Sequence, residues 1–562
     1  MGEGGGGRSC GTTRELQRLK QQAMEYYREN DVPRRLEELL NSTFYLQPAD
    51  VYGHLANCFS KLAKPPTICK VVGKKVLDGL GLPTLQVEIF CTIQNFPKNI
   101  CSVVISTHFE VHENTAPELA DAEQAERSNA VSTAVQWVNE TITEELRGLA
   151  PSNQAEVDRV LRTFFENKVR EDKERRDLER GLEDPAVLIP SSLPPPPPPP
   201  PAAKKRGQRQ GRNDTFTEKP IVPPESVEPV LNGSMAIGAV SLAVAKTSAI
   251  LDNNPLYLNI ALLKHRQPPP PKTETKKGHN GSKRGQQPII GKVSHLGCLT
   301  INSDTIEQPL ILIQGICASL GLDMGTDLHL AINCAAQELM DYNRGKYEVM
   351  LGTHKNAAEM VDLYVDLINR FPSIIALIDP FRKEDSEQWD SICHALGSRC
   401  YIIAEAASKS ISKLLEGGDI GTPKSSGLII RHTNQTTMSD LVEITHLLDS
   451  KKRIAIFGSA EGESSDDSLV DLAIGLGVRF IKLGGLSRGE RVTKYNRLFT
   501  IEEELVQNGT LGFNEEHTFF PLNDEAEKGT KAPEAAATMA GEPPELLEPV
   551  FPTEVMESSA KA

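Results

Sequence analysis

The chain predicts an α/β fold built around a (β/α) barrel, with a small all-α module at its amino end. Three observations carry that prediction. Apolar, β-branched runs begin at Ile374, Cys400, Gly427, Arg453 and Phe480, at nearly constant spacing. Helical patterns such as SEQWDSICHAL, TMSDLVEITHLLDS and SLVDLAIGLG fill the intervals, so each strand is followed by a crossover helix and the strands run parallel. The residues before Thr67 instead repeat apolar positions at helical spacing. So many strand–helix units favour a barrel, although strand count alone leaves an open sheet as the alternative.

Composition sets the outer bounds. A chain of 562 residues has room for roughly two to four folded units. Hydrophobic content of 39% is low for wholly globular sequence and implies disordered segments within the count. A formal charge of −15 argues against a general nucleic-acid binder. The ten cysteines form no C-x-x-C pair, which signals neither a zinc site nor a disulfide framework and fits a reduced, intracellular compartment. The opening MGEGGGGRSC reads as neither a secretory signal nor a myristoylation motif. The longest apolar run, Met235 to Ala245, is too short to span a bilayer and predicts a buried helix rather than a membrane partner.

Residues 12–66 form the helical leader. TTRELQRLKQQAMEYYREN is one helical pattern. VPRRLEELL opens a second, with Pro33 in its first turn and Leu36, Leu39 and Leu40 on one face. PADVYGHLANCFSKL is a third, carrying Val51, Leu55, Phe59 and Leu62, and Lys64-Pro65-Pro66 stops it. One copy offers little apolar area to bury, so pairing would help it. It reads either as a helical extension packed on the body or as a module that pairs with a second copy.

Residues 67–265 form the next unit, interrupted at about 181–228 by LPPPPPPPP and AAKKRGQRQGR, a polyproline II spacer followed by a basic linker. A second Pro/Lys-rich linker spans 266–288. Both basic stretches read as solvated loops, with import or phosphate-binding patches as the sharper alternative. The barrel occupies 289–515, and an acidic tail at 516–562 lacks the hydrophobicity to fold.

Barrels place their chemistry at the carboxyl ends of the strands. Ile378–Asp379, Glu405, Arg431–His432, Ser459 and Lys482 therefore share one rim. Such a rim could bind a phosphorylated or carboxylated ligand, or could be a structural ring of ion pairs.

Several stretches resemble the enolases, glycolytic enzymes that dehydrate 2-phosphoglycerate. They are KVLDGLGLPTLQVEIF, AVSTAVQWVNETI, GSMAIGAVSLAVAKTSAILDNNPLYLNIALL, LINRFPSIIALIDPF and IKLGGLSRGERVTKYNRLFTIEEEL. The resemblance covers roughly 67–515 and implies an enolase-like (β/α)8 barrel behind an α+β capping domain. It also implies a magnesium-dependent site in which metal-bound substrate loses a carbon-bound proton to a lysine.

Carried over residue by residue, the three metal carboxylates fall on Asn333, Ile378 and Glu405, and only Glu405 is an acid. The lysine base falls on Arg431, whose guanidinium stays protonated near neutrality. His432 and Lys424 are candidate substitutes. Ser459 and Ala460 stand in place of the family's loop histidine and phosphate-binding arginine, and Gly79 replaces its metal-binding serine. PIIGKVSHLGCLTINSD, in place of the family's second mobile loop, has no placed counterpart of the general acid. Lys482 remains at the substrate-binding position, and Gly484, Arg488, Glu490 and Arg491 keep the C-terminal signature.

These substitutions favour weak or lost catalysis and a scaffold role; the alternative is an active phosphopyruvate hydratase with an altered site. The leader resembles the docking-and-dimerisation module of protein kinase A regulatory subunits and related ciliary proteins, whose paired helices accept an amphipathic helix. Together, leader, proline insert and altered metal set resemble a sperm-associated branch of the family. This implies a cytoplasmic, flagellar setting, a homodimer or heterodimer with other enolases, and an amphipathic-helix anchor protein.

Overall fold

The computed structural model describes residues 9–106, 117–183, 222–223, 230–265, 298–301, 303, 305–417, 420, 423–460, 462–512, 517 and 519. Most of the proline insert, the whole 266–288 linker and all of the acidic tail but residues 517 and 519 lie outside the described residues.

Three helices open the chain: α1 (Ser9–Glu29), α2 (Val32–Leu46) and α3 (Val51–Leu62). Pro33 sits in the first turn of α2, where its missing N–H costs nothing. Asp50 caps α3, its carboxylate accepting the Gly53 N–H at 2.8 Å. Among the described residues nothing covers the apolar face of the leader. Phe44 is 70% exposed and Tyr52 86% exposed, and the only buried residue in α2 is Thr43.

An antiparallel sheet follows, with β1 (Thr67–Leu77), β2 (Pro83–Ile93) and β3 (Phe96–Val104) in that order. Gln94 and Asn95, both at positive φ, form the two-residue turn that matches the strand twist between β2 and β3. One face of the sheet, with Val71, Leu85, Val87 and Ile89, is fully buried. Among the described residues five helices accompany it: α4 (Pro117–Trp137), which runs through a π turn into the short α5 (Thr143–Glu145), α6 (Gln154–Glu183), α7 (Met235–Leu251) and α8 (Leu256–Lys264). The apolar run Met235–Ala245 lies in α7 and is buried on all sides, as a core helix must be. Among the described residues no single helix is long and apolar enough to cross a membrane.

After α9 (Glu307–Leu320) the parallel sheet begins with β4 (Leu330–Asn333). A small antiparallel excursion, β5 (Met340–Asp341), β6 (Lys346–Met350) and β7 (Thr353–Lys355), precedes α10 (Ala357–Arg370). The alternation is then strict. It runs β8 (Ile374–Ile378), α11 (Ser386–Leu396), β9 (Tyr401–Ala404), α12 (Ile411–Gly417), β10 (Gly427–Ile430), α13 (Met438–Ser450), β11 (Ile454–Gly458), α14 (Ser468–Leu476), β12 (Phe480–Lys482) and α15 (Gly489–Gln507). Capping boxes at Asn356/Glu359 and Thr437/Asp440 start α10 and α13.

The six strands lie in the order β4-β8-β9-β10-β11-β12, all parallel. This curled sheet supplies six of the eight strands that a complete barrel of this class has. Its interior is apolar, lined by Ala376, Ile378, Tyr401, Ile403, Ile429 and Ile456.

A buried carboxylate ties the capping domain to the barrel. Asp158 of α6 accepts hydrogen bonds from Ser241 Oγ of α7 at 2.6 Å and from the N–H and hydroxyl of Ser439 at 2.9 and 2.7 Å. Ser439 lies in the first turn of α13, so Asp158 also faces the positive end of that helix. Burial raises its pKa, and these donors oppose the rise.

Candidate functional site

The carboxyl ends of β9, β10, β11 and β12 bring Glu405, Arg431, Ser459 and Lys482 together. Glu405 is the hub: Arg431 Nη2 binds its Oε1, and Lys482 Nζ donates to its Oε2 at 2.7 Å. Arg431 Nε also donates to the Ser459 carbonyl at 3.2 Å, and the Ser459 N–H donates to the Lys482 carbonyl at 3.0 Å. Both carboxylate oxygens are thus held by cations, and the Glu405 side chain is only 8% exposed.

The other positions on the rim do not join this group. Ile378 ends β8 inside the apolar cluster. Asn333 ends β4 in register with Ile378. Among the described residues no hydrogen bond joins the Asn333 side chain to Glu405. Asp379, one residue beyond Ile378, has φ 47° and turns its carboxylate under the loop after β9. There it accepts the N–H groups of Glu405 and Ala406 at 2.8 Å and of Ala407 at 3.3 Å.

Neither substitute base reaches the hub. His432 packs against Gly238 of α7, and burial pushes its imidazole down to about 4. Lys424 precedes β10 and so lies toward the amino end of that strand, opposite Arg431.

A second cluster was not foreseen from the residues taken singly. Glu463, in the loop after β11, is buried between Arg491 Nε at 3.1 Å and Lys494 Nζ at 3.0 Å, and Ser459 Oγ donates to it at 3.2 Å. The GERVTK spacing, which sets Arg491 and Lys494 one turn apart at the start of α15, was the available signal.

The loop between β1 and β2 is drawn onto the same cluster. The Gly79 N–H donates to the Glu463 carbonyl and Arg488 Nη2 donates to the Gly79 carbonyl, each at 2.8 Å. Asp78 holds the loop from within, accepting the N–H groups of Leu80 and Leu82 at 2.9 Å and pairing with buried Arg127. A Cβ added at Gly79 would lie 2.5 Å from the Glu490 carboxylate.

Residues 68–170 match the family model described as "Enolase, N-terminal domain", and residues 278–518 match "Enolase, C-terminal TIM barrel domain". The chain belongs to the enolase family. It is 72% identical to a human protein named "Enolase 4", with the alignment covering 100% of this chain and 99% of that protein. A mouse protein of the same name is 63% identical over 100% of both chains. One from Xenopus laevis is 46% identical over 91% of this chain and 96% of its own length.

Enolases are generally magnesium-dependent. Magnesium seeks about six oxygen ligands in octahedral array and leans on carboxylate charge. Among the described residues one carboxylate, Glu405, faces the rim, and a metal would have to displace Arg431 or Lys482 to reach it. Among the described residues no three His, Cys, Asp or Glu side chains converge to hold an ion. The residues present do not fit the metal.

Proposed function

We propose that this enolase-family chain has weak or lost catalysis and acts as a scaffold in the cytoplasm of the sperm flagellum. One observation carries the catalytic half of the reading: the Glu405 carboxylate is closed off by Arg431 and Lys482. In the family's reaction a metal makes the carbon-bound proton acidic and a lysine removes it. Here a permanently charged guanidinium stands at the base position, and the two further ligand positions are an amide and an alkyl group. Loss of either base or metal costs several orders of magnitude in rate, because each acts on the developing enolate.

The scaffold half rests on the leader. Its exposed face, with Phe44, Tyr45, Tyr52 and Phe59, is apolar surface that a second helical copy would cover. The paired helices would then offer a groove for the amphipathic helix of an anchoring protein, as in the ciliary modules the leader resembles. Enolase-type pairing with itself or with other enolases belongs to the same reading.

The test is magnesium-dependent formation of phosphoenolpyruvate from 2-phosphoglycerate by purified chain free of other enolases. We expect no turnover at ordinary enolase rates. Turnover at such rates, abolished by Lys482→Ala, establishes the active hydratase instead. For the leader, the full chain should lose self-association on Leu40→Glu with Phe44→Glu; unchanged association would remove the leader from the assembly.

A further inference from the structure

The seam between the capping domain and the barrel holds a cavity of about 260 Å³. Asn253, at φ 54°, and Pro255 end α7 and turn the chain through 108° into α8. That turn carries Asn254 and Leu256 to the cavity, beside Lys246, Ala249 and Ile250 of α7. Facing them from the barrel are Asp467 and Asp471 at the start of α14 and Arg497 of α15. Every residue lining the cavity is among the described residues.

The charges in this lining are unevenly committed. Arg497 holds both oxygens of Asp471, through Nε at 2.9 Å and Nη2 at 2.7 Å, and its Nη1 donates to Glu504 at 3.2 Å. Lys246 Nζ donates to Ser468 Oγ at 3.1 Å and lies 3.9 Å from Asp466. Asp466 also accepts the N–H groups of Val104 and Ser468. Asp467 stands apart. It occupies the N-cap position of α14 without making a side-chain cap hydrogen bond, and among the described residues its half-buried carboxylate has no hydrogen-bond or ion-pair partner. Burial raises its pKa, Asp466 and Asp471 add to the rise, and Lys246 and Arg497 oppose it. The Asn254 carboxamide is likewise unpartnered among the described residues, although its backbone N–H donates to the Ala249 carbonyl.

This arrangement selects a ligand by charge and size. An anion would compete with Asp471 for Arg497 and would meet the Asp467 charge. A magnesium or calcium ion seeks about six or more oxygens, which one uncommitted carboxylate beside Lys246 does not supply. A primary ammonium carries donors only, matching the Asp467 carboxylate and the Asn254 carbonyl oxygen. An alkyl stem matches buried Ala249 and Leu256 and also Ile250, which is 48% exposed and leaves the cavity open to solvent beside it. Drug-sized pockets begin at about 300 Å³, so this one limits the stem to a few carbons. We propose that the seam cavity binds a small primary alkylamine, its ammonium on Asp467 and Asn254 and its stem on Ala249, Ile250 and Leu256. Because the walls come from both domains, the ligand would tie α7 and α8 to α14. No residue of the Glu405 hub lines the cavity, so the site does not depend on whether that hub catalyses.

The test is titration of the full chain at about pH 7.5 and constant ionic strength with n-butylammonium chloride, followed by saturation-transfer NMR. 1-Butanol and sodium butyrate serve as the neutral and anionic counterparts of similar size. We expect saturable binding of the amine with a Kd of about 1 mM or tighter, and binding of butanol and butyrate at least about tenfold weaker. Asp467→Asn removes the charge while keeping the shape and a favourable N-cap residue, and should weaken amine binding at least about tenfold. Ile250→Trp, at a half-exposed position, should fill the cavity and abolish binding without changing any charge. Absence of saturable amine binding by the natural chain overturns the site. So does equal affinity for butanol, or undiminished amine affinity in either variant that retains the natural circular dichroism.

Discussion

Asp379 follows Ile378 in the chain, yet its carboxylate supports Glu405 rather than joining it: Asp379 Oδ1 accepts the Glu405 N–H at 2.8 Å. The acid nearest the vacated ligand position is thereby committed to holding the β9 loop. Asp379→Asn should destabilise the chain by about 2 kcal/mol, because buried backbone donors lose a charged acceptor. Urea unfolding monitored by circular dichroism measures this, and phosphoenolpyruvate formation should not change.

Restoring the base alone should not restore chemistry. Arg431→Lys is expected to leave turnover within about tenfold of the natural chain, since the carbonyl-activating metal still lacks ligands. Adding Asn333→Asp and Ile378→Glu should give a magnesium-dependent gain of about 10²-fold over Arg431→Lys, in line with what a positioned base contributes. Initial rates with and without chelator decide the matter.

Ile378→Glu by itself places a carboxylate among Ala376, Ile403 and Ile429. Such burial without a partner costs several kcal/mol. The urea midpoint should drop sharply, and magnesium should recover part of the loss only when Asn333→Asp is also present.

His432 sets a direction for acid stability. Burial holds its imidazole at about 4 in the folded chain, below the ordinary value of 6.5, so the unfolded chain takes up the proton first. Its contribution is complete above about pH 6.5 and is lost as pH falls toward about 4, to a total of roughly 3 kcal/mol. Comparing His432→Phe with the natural chain by urea titration across that window should show a flatter pH dependence in the variant.

Asp158 predicts how the two domains come apart. Asp158→Ala leaves Gln154, Ser241 and Ser439 without their shared acceptor, at an expected cost of about 3 kcal/mol. Tryptophan fluorescence offers one reporter on each side, Trp137 in α4 and Trp389 in α11. Loss of the Asp158 tie should separate their unfolding transitions.

Much of the barrel was legible because its strands obey one simple rule. A fully buried parallel strand is a short apolar run, and IIALI, YIIA, GLII and IAIFG need no partner information to be recognised. Strand ends also predicted that Glu405, Arg431, Ser459 and Lys482 would share a rim. The Glu405 ion-pair geometry was not legible, because rotamer choice across three strands leaves no trace in spacing. Nor was the Asp158 tie, whose partners lie 83 and 281 residues away in the chain.

Gly79 couples the β1–β2 loop to the start of α15. A side chain at that position meets the Glu490 carboxylate, which is itself paired with Arg488, while the Gly79 backbone is clasped by Glu463 and Arg488. A serine placed there would have to shift the Glu490 carboxylate away from Arg488 to make room for its side chain. Because the atoms it would meet are the far end of a flexible glutamate, position 79 is joined to the start of α15 through a movable ion pair, so a change of side chain there would be felt first at Arg488 and Glu490.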